Sequence, residues 1–332
     1  MKWLRHTLSV SRFACRCMST EVTATNTAVT SRQNEVFEKE KQRQLSLIKR
    51  IEKIEVEHVD PNEPCKFMMN KYLSTPYHAA LHLNQRYLKH SAIAMVNGKP
   101  WHMLQPLIED CELRFVTMKD DDVREANQAF WRSCSHMMGA ILHSAFKDDV
   151  RIQVARSPEI PISKGCFAYD VNLPFKWEPT REEIICLNRQ AFSLAENKVN
   201  FERLEVSREV ALSIFEDNTY KKQQIEETQA DRIILFRLGE FVDISEGPMV
   251  TNTGFIEPCR FVFTCIHGIE DYLKPRNKLL RFQGVALPSE FQVHHTAWSI
   301  IQDRAKKPIL LDLAPSMKSS QQTDQTQQES TS

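Results

Sequence analysis

AFWRSCSHMMGAIL, residues 129–142, is the stretch from which the rest of the chain can be read. It sits in a longer run, DDVREANQAFWRSCSHMMGAILHSAF (121–146), that opens with aspartates suited to a helix N-terminus. Phe130, Cys134, Met137, Met138, Ile141 and Leu142 recur at spacings that make one buried face, which predicts a helix. Positions four apart share a face, so two histidines placed that way can offer their imidazoles to one metal or one water. Here that pair is Arg132 and His136. Arginine cannot ligate zinc and keeps its proton at any ordinary pH, so half of such a site is electrostatically reversed. Cys134 is two residues from His136 and therefore on a different side of the helix. His136 reads as a packed or hydrogen-bonded structural histidine rather than a ligand.

C-terminal to this helix, RIQVARS and CFAYDVNL are strand-like, EEIICLNRQAFSLAEN is helical and FERLEV is again a strand. VALSIFEDNTYKKQQIEE reads as one helix, RIILFRLG as a strand and FVDISEGPMVTNTG as a loop. RFVFTCIHGI and KLLRFQGVAL predict two further strands, before a last helix over PSEFQVHHTAWSIIQDRAKK. N-terminal to it lies a compact unit: KIEVEHV (53–59) alternates, FMMNKYL is a second strand, and STPYHAALHLNQRYLK (74–89) begins with Ser/Thr capping signals. AIAMVNGKPW is strand, Asn-Gly turn, strand, and CELRFVTM (111–118) closes the unit as a β-grasp-like arrangement. Strands and helices mix without a strict βαβ rhythm, which places the chain in the α+β class.

The first twenty residues contain Lys2, Arg5, Arg12 and Arg16, several serines and no acid, the composition of a mitochondrial transit peptide. Its loss would remove four basic residues and no acid from the balanced 43 and 43, leaving a body near −4. Such a body does not coat polyanions generally, so contacts with nucleic acid have to come from local basic patches. Nine scattered cysteines without a C-x-x-C pair fit a reduced compartment. No window approaches the roughly 20 apolar residues of a membrane-spanning helix.

Residues 21–34 have no periodic apolar face and read as a linker. From Phe37 the charged run FEKEKQRQLSLIKRIEKI has two readings, a solvated helix with pairs such as Glu35 to Lys39, Glu38 to Lys41 and Glu40 to Arg43, or a basic extension lying along phosphates. The expected division is therefore 1–20 transit peptide, 21–53 linker and charged extension, 54–120 β-grasp-like unit, 121–310 a larger α+β domain and 311–332 a polar, disordered tail.

Other constellations are thin. His78 and His82 form an intact H-x-x-x-H, but no Cys or acid at ligand spacing accompanies them. His294 and His295 likewise lack a third partner. G-x-x-x-x-G-K-[ST], G-x-G-x-x-G and G-x-S-x-G are all absent from a chain with only eight glycines.

The order of these elements resembles the N-terminal half of threonyl-tRNA synthetases, a TGS domain followed by an editing domain, over roughly residues 54–306. The anchors are AFWRSCSHMMGAIL, N-T-Y-K at 218–221, V-D-x-x-x-G-P at 242–248 and KLLRFQGVAL leading to TAW at 296–298. The resemblance implies an editing site built from H-x-x-x-H on the helix and C-x-x-x-H in the loop, groups that position a hydrolytic water or, in some relatives, bind zinc. These four positions fall on Arg132, His136, Ser245 and Met249, so only His136 survives, while Lys221 and Asp243 match the retained lysine and aspartate. One histidine, a hydroxyl and a thioether do not make a zinc site, so no metal, cofactor, catalytic residue or small-molecule substrate is expected. With the chain ending at Ser332, no aminoacylation domain is expected either.

The chain also resembles the synthetase-like proteins of the mitochondrial ribosome. That resemblance implies a structural part of the mitochondrial large subunit, in the matrix, bound to rRNA and neighbouring ribosomal proteins. Candidate RNA contacts are Arg43, Lys49, Arg50 and Lys53, with Arg276, Lys278, Arg281, Arg304, Lys306 and Lys307 near the C-terminal strands and helix. Two rival readings are a free-standing deacylase of mischarged tRNA using Lys221, Asp243 and His136, and a module that senses tRNA or a nucleotide.

Overall fold

The computed structural model describes residues 25–60 and 63–309. The expected transit peptide, with Cys15 and Cys17, and the expected tail lie outside the described residues. The chain is α+β, and the described residues form three separate sheets.

Helix α1 spans Asn26–Ser46 and is followed by β1 (Lys53–His58), β2 (Cys65–Asn70), α2 (Pro76–Leu83), α3 (Gln85–His90), β3 (Ser91–Val96), β4 (Lys99–Trp101) and β5 (Cys111–Thr117). The five strands form one sheet in the order β2-β1-β5-β3-β4, with β1 and β5 parallel and the other pairs antiparallel. β1 alternates exposed and buried residues as its sequence does, and places Ile54 and Val56 in a small core with Ala79, Met103 and Leu113. The single helix expected over 74–89 is two, because Asn84 adopts extended backbone and caps the second with its side chain.

The larger part continues with α4 (Arg124–Ser144), β6 (Gln153–Arg156), β7 (Phe167–Asn172), α5 (Arg181–Glu196), β8 (Phe201–Ser207), α6 (Arg208–Ile214), α7 (Thr219–Glu227), β9 (Arg232–Leu238), β10 (Phe241–Ile244), β11 (Ile256–Glu270), β12 (Lys278–Pro288) and α8 (His295–Ala305). Strands pair antiparallel as β10-β9-β8 and as β11-β12-β7-β6.

Helix α4 joins these parts. Every residue from Ser133 to Leu142 is buried, so the helix has a core face all round rather than the single stripe that its sequence suggests. Its small residues allow this close approach: a Cβ on Gly139 would lie 2.7 Å from the Tyr169 ring and 2.9 Å from Phe241. One core collects α4 residues with Ile93 and Val116 of the first sheet, Phe236 and Phe241 of the second, and Phe167 and Phe282 of the third.

Four further expectations change. Residues 21–34 are not a linker in their described part, since α1 begins at Asn26 with Thr25 as N-cap. No broad apolar stripe announces this helix; it is held by Phe37, fully buried with Leu204, Val206 and Ile214, and by polar contacts such as Asn26 to the Val150 carbonyl, Arg32 to Asp217 at 2.6 Å and Asn34 to the Glu240 carbonyl. The helix expected over 210–227 breaks at Phe215–Asn218, where Asn218 caps α7. The expected loop at 241–254 starts as strand β10, and the last helix begins only at His295.

Candidate functional site

Where α4, β7, α7 and the segment after β10 converge, they enclose a cavity of about 400 Å³ lined by Arg132, Ser135, His136, Tyr169, Gln224, Asp243, Ser245, Glu246 and Met249, among others. The four positions that the editing resemblance singles out, and Asp243, thus share one wall. The sequence explains how they are aimed. Asn218 accepts from the backbone N–H groups of Tyr220 and Lys221 at 3.0 and 3.2 Å and donates to the Val154 carbonyl at 2.8 Å, fixing the first turn of α7 against β6. Ser133 accepts from Val250 N at 2.9 Å and donates to the Ala129 carbonyl, tying the 245–250 loop to α4.

Lys221 and Asp243 form an ion pair at 2.5 Å, with the two side chains 1% and 3% exposed. The lysine also donates to Gln224 at 3.4 Å. Asp243 Oδ1 accepts from Ile244 N at 2.7 Å, and Oδ2 accepts from the Tyr169 hydroxyl. Burial first, and the Asp243 charge next, hold the Tyr169 hydroxyl in its protonated form far above the usual phenol range. Both carboxylate oxygens are thus occupied by donors, which suits a structural lock more than a base waiting for a substrate proton.

His136 is 3% exposed and packed between the Phe241 ring at 5.0 Å and the Phe201 ring at 5.9 Å. Its Nε2 has no hydrogen-bond partner among the described residues. Burial pushes its pKa down to about 4; the Asp243 charge opposes this and Lys221 adds to it. The imidazole is therefore neutral at physiological pH.

Arg132 lies against Gly247, where a Cβ would be 2.4 Å from the guanidinium Nη1. The guanidinium occupies the space beside Gly247, so a side chain there would have to displace its tip, and among the described residues Arg132 has a 3.4 Å hydrogen bond to Gln128 and no ion pair. Ser245 donates to the Gly247 carbonyl at 3.2 Å, and Met249 is 2% exposed, turned into the main core. These donors do not fit zinc, and among the described residues no group of three or more His, Cys, Asp and Glu could hold a metal. His78 caps α2, accepting from Thr75 N, and His82 stacks near Phe67; His294 caps α8. Tyr169 is the site residue that sequence reasoning missed, since nothing in the CFAYDVNL alternation links it to a carboxylate 74 positions away.

The expected RNA contacts divide. Lys49, Arg50, Lys53, Arg276, Lys278, Arg304, Lys306 and Lys307 are exposed. Arg43 is exposed but held by Glu40 at 2.6 Å, and the neighbouring Lys41 and Glu38 turn to Glu202 and Arg237, so α1 directs much of its charge into the protein. Arg281 is a correction: it is fully buried and grips both oxygens of Asp170 at 2.7 and 2.8 Å, so it cannot reach a phosphate. β12 is a central strand covered on both faces, and a charge in its middle points inward rather than to solvent.

The fold and this altered pocket define a protein related to part of the threonine–tRNA ligases. The chain is 30% identical over 171 residues to the threonine–tRNA ligase of Thermotoga maritima, a match covering 51% of this chain and 25% of the ligase. It is 28% identical over 235 residues to threonine–tRNA ligase 2, cytoplasmic, of Bos taurus, covering 70% of this chain and 30% of that protein. It thus spans about a quarter to a third of these ligases. To the large ribosomal subunit protein mL39 of Drosophila melanogaster it is 38% identical over 288 residues, covering 85% of this chain and 86% of that protein. The chain belongs to the mL39 family of large ribosomal subunit proteins. No family model matches it.

Proposed function

We propose that the chain is a structural, non-catalytic constituent of the large subunit of the mitochondrial ribosome, placed in the matrix and bound to rRNA and neighbouring ribosomal proteins. The observation that carries this reading is the 38% identity to a large-subunit protein along 85% of the chain. In this reading residues 54–120 are a TGS-like β-grasp domain and 121–310 an editing-like domain kept for its surfaces, with its pocket stabilised rather than catalytic. The saturated Asp243, the neutral His136 and the Arg132 side chain packed on Gly247 all support that view. The exposed cations Lys49, Arg50 and Lys53, and those at the C-terminal end, supply sequence-independent phosphate contacts.

The test is sedimentation of mitochondrial lysate at a salt concentration that strips loosely held proteins. The chain is expected to travel with the large subunit and to shift when the RNA is digested. A position near the top of the gradient, combined with deacylation of mischarged tRNA by the pure chain that His136→Ala abolishes, would replace this reading with an enzymatic one.

A further inference from the structure

The buried Arg281–Asp170 pair does more than hold two strands together. Arg281 and Asp170 face each other in the β12–β7 register, and the guanidinium's third nitrogen is left free by its two bonds to the carboxylate. That donor, Nη1, reaches the Ile309 carbonyl at 3.1 Å. Two positions along the same strand face, Gln283 donates to the carbonyls of Ala305 and Lys307 at 3.3 and 3.1 Å and accepts from Ile309 N at 2.7 Å. Thr264 on β11 adds a bond to the Ala305 carbonyl at 2.9 Å. The backbone of 305–309 is thereby strapped across the sheet, from Gln283 toward Arg281, by these side chains.

Ala305 and Ile309 turn their side chains into the core, while Lys306 and Lys307 between them are left outside. Arg304, Lys306 and Lys307 are exposed, and the strap runs toward the β11–β12 hairpin, which exposes Lys274, Arg276 and Lys278. Of these six cations, Lys306 alone has an ion pair among the described residues, to Asp303 at 2.8 Å. Gln283 and Lys278 lie five positions apart on the strand, roughly 16 Å at about 3.3 Å per residue, a span of several backbone phosphates. A group of six exposed cations, five without an ion pair among the described residues, held on fixed backbone suits a regular polyanion, whereas an acidic protein face would offer its charges at irregular spacing.

We infer that the strap and hairpin form one preorganised RNA-backbone surface, and that Gln283 and Arg281 act as its positioning residues rather than as contacts. This rests on the ribosomal reading for the identity of the polyanion.

The experiment measures binding of the full chain to a short RNA hairpin as salt is raised from about 50 to 200 mM. Six phosphate contacts should weaken binding about 10³-fold over that range, and Arg304→Gln/Lys306→Gln/Lys307→Gln should reduce this to about 40-fold. Gln283→Leu, which frees the strap without stranding a charge, should lower affinity roughly tenfold at low salt with the salt slope unchanged, because only preorganisation is lost. A wild-type slope in the triple variant, or wild-type affinity in Gln283→Leu, would overturn the inference. So would binding to an acidic peptide but not to the hairpin, which would make the partner a protein. If the wild-type chain leaves the large subunit on the gradient while the variants behave as expected, the ribosomal reading falls and the surface stands. The converse pattern leaves the reading and removes the surface.

Discussion

Two ion pairs are buried in the larger domain, and they are built differently. Arg281–Asp170 is closed: both side chains are fully buried, the guanidinium fork meets both carboxylate oxygens, and the third nitrogen, Nη1, donates to the strap. Lys221–Asp243 borders a cavity; the ammonium makes one contact to the carboxylate, and Tyr169 and Ile244 supply the rest. In the first pair both hydrogen bonds that the carboxylate accepts from a side chain come from Arg281, with Arg156 and His267 acting on Asp170 only through their charge. The second shares its burden among three donors. Where a pocket persists, the chain keeps a redundant polar network; where sheet and strap close, it uses a single, geometrically demanding pair.

The largest effect should come from Arg281→Met. It strands the Asp170 carboxylate, which burial already pushes toward protonation against the pull of Arg281, and should lower stability by about 3–5 kcal/mol in denaturant unfolding. Adding Asp170→Leu should restore most of the loss, since an apolar pair leaves nothing unpaired. Lys221→Met should be less harmful, about 2–3 kcal/mol, because Asp243 keeps two donors and cavity water can approach. If Lys221→Met proves as damaging as Arg281→Met, the contrast between a redundant and a closed pair is wrong.

A third test sharpens the electrostatics of the pocket. Burial pushes the pKa of His136 to about 4 and that of His102, packed beneath the same domain against Phe236, to about 3. In the unfolded chain each takes up a proton near pH 6.5. The unfolded state therefore binds more protons below that pH, so stability is full above 6.5 and falls as the pH is lowered through this window. His136→Phe, which suits its aromatic neighbours, should remove about 2 kcal/mol of the loss between pH 6.5 and 4.5. An unchanged pH slope would mean that His136 is protonated, or hydrated, in the fold.

Much of this was legible in the sequence because the informative residues carry local signals. The 53–59 alternation, the Asn-Gly turn at 97–98 and the apolar run at 129–142 each settle an element, and His136, Lys221 and Asp243 lie in recognisable short motifs. What escaped depends on partners far along the chain. Helix α1 has no broad apolar stripe, and its docking is written in one buried side chain, Phe37, and in Arg32, Lys41 and Glu38 meeting residues more than 150 positions away. Tyr169 gains its role only from Asp243, and Arg281 looks like a surface cation until a covering segment and a facing carboxylate appear. Periodicity reports which face is buried; it does not report what a buried polar group will meet.

The smallest effect is the most discriminating for function. Arg304, Lys306 and Lys307 are exposed, and their described intrachain ion pair is the solvent-screened one between Lys306 and Asp303. The triple replacement by glutamine should change folding stability by less than about 0.5 kcal/mol, within the range of ordinary surface substitutions. A larger loss in denaturant unfolding would mean that these cations stabilise the strap itself, and their exposure would then be incidental to any partner. If the stability is unchanged while retention on the large subunit weakens at high salt, the two kinds of charge in this domain separate cleanly. Those turned inward, Arg281 and Lys221, serve the fold, and those left on the strap serve what the fold is assembled into.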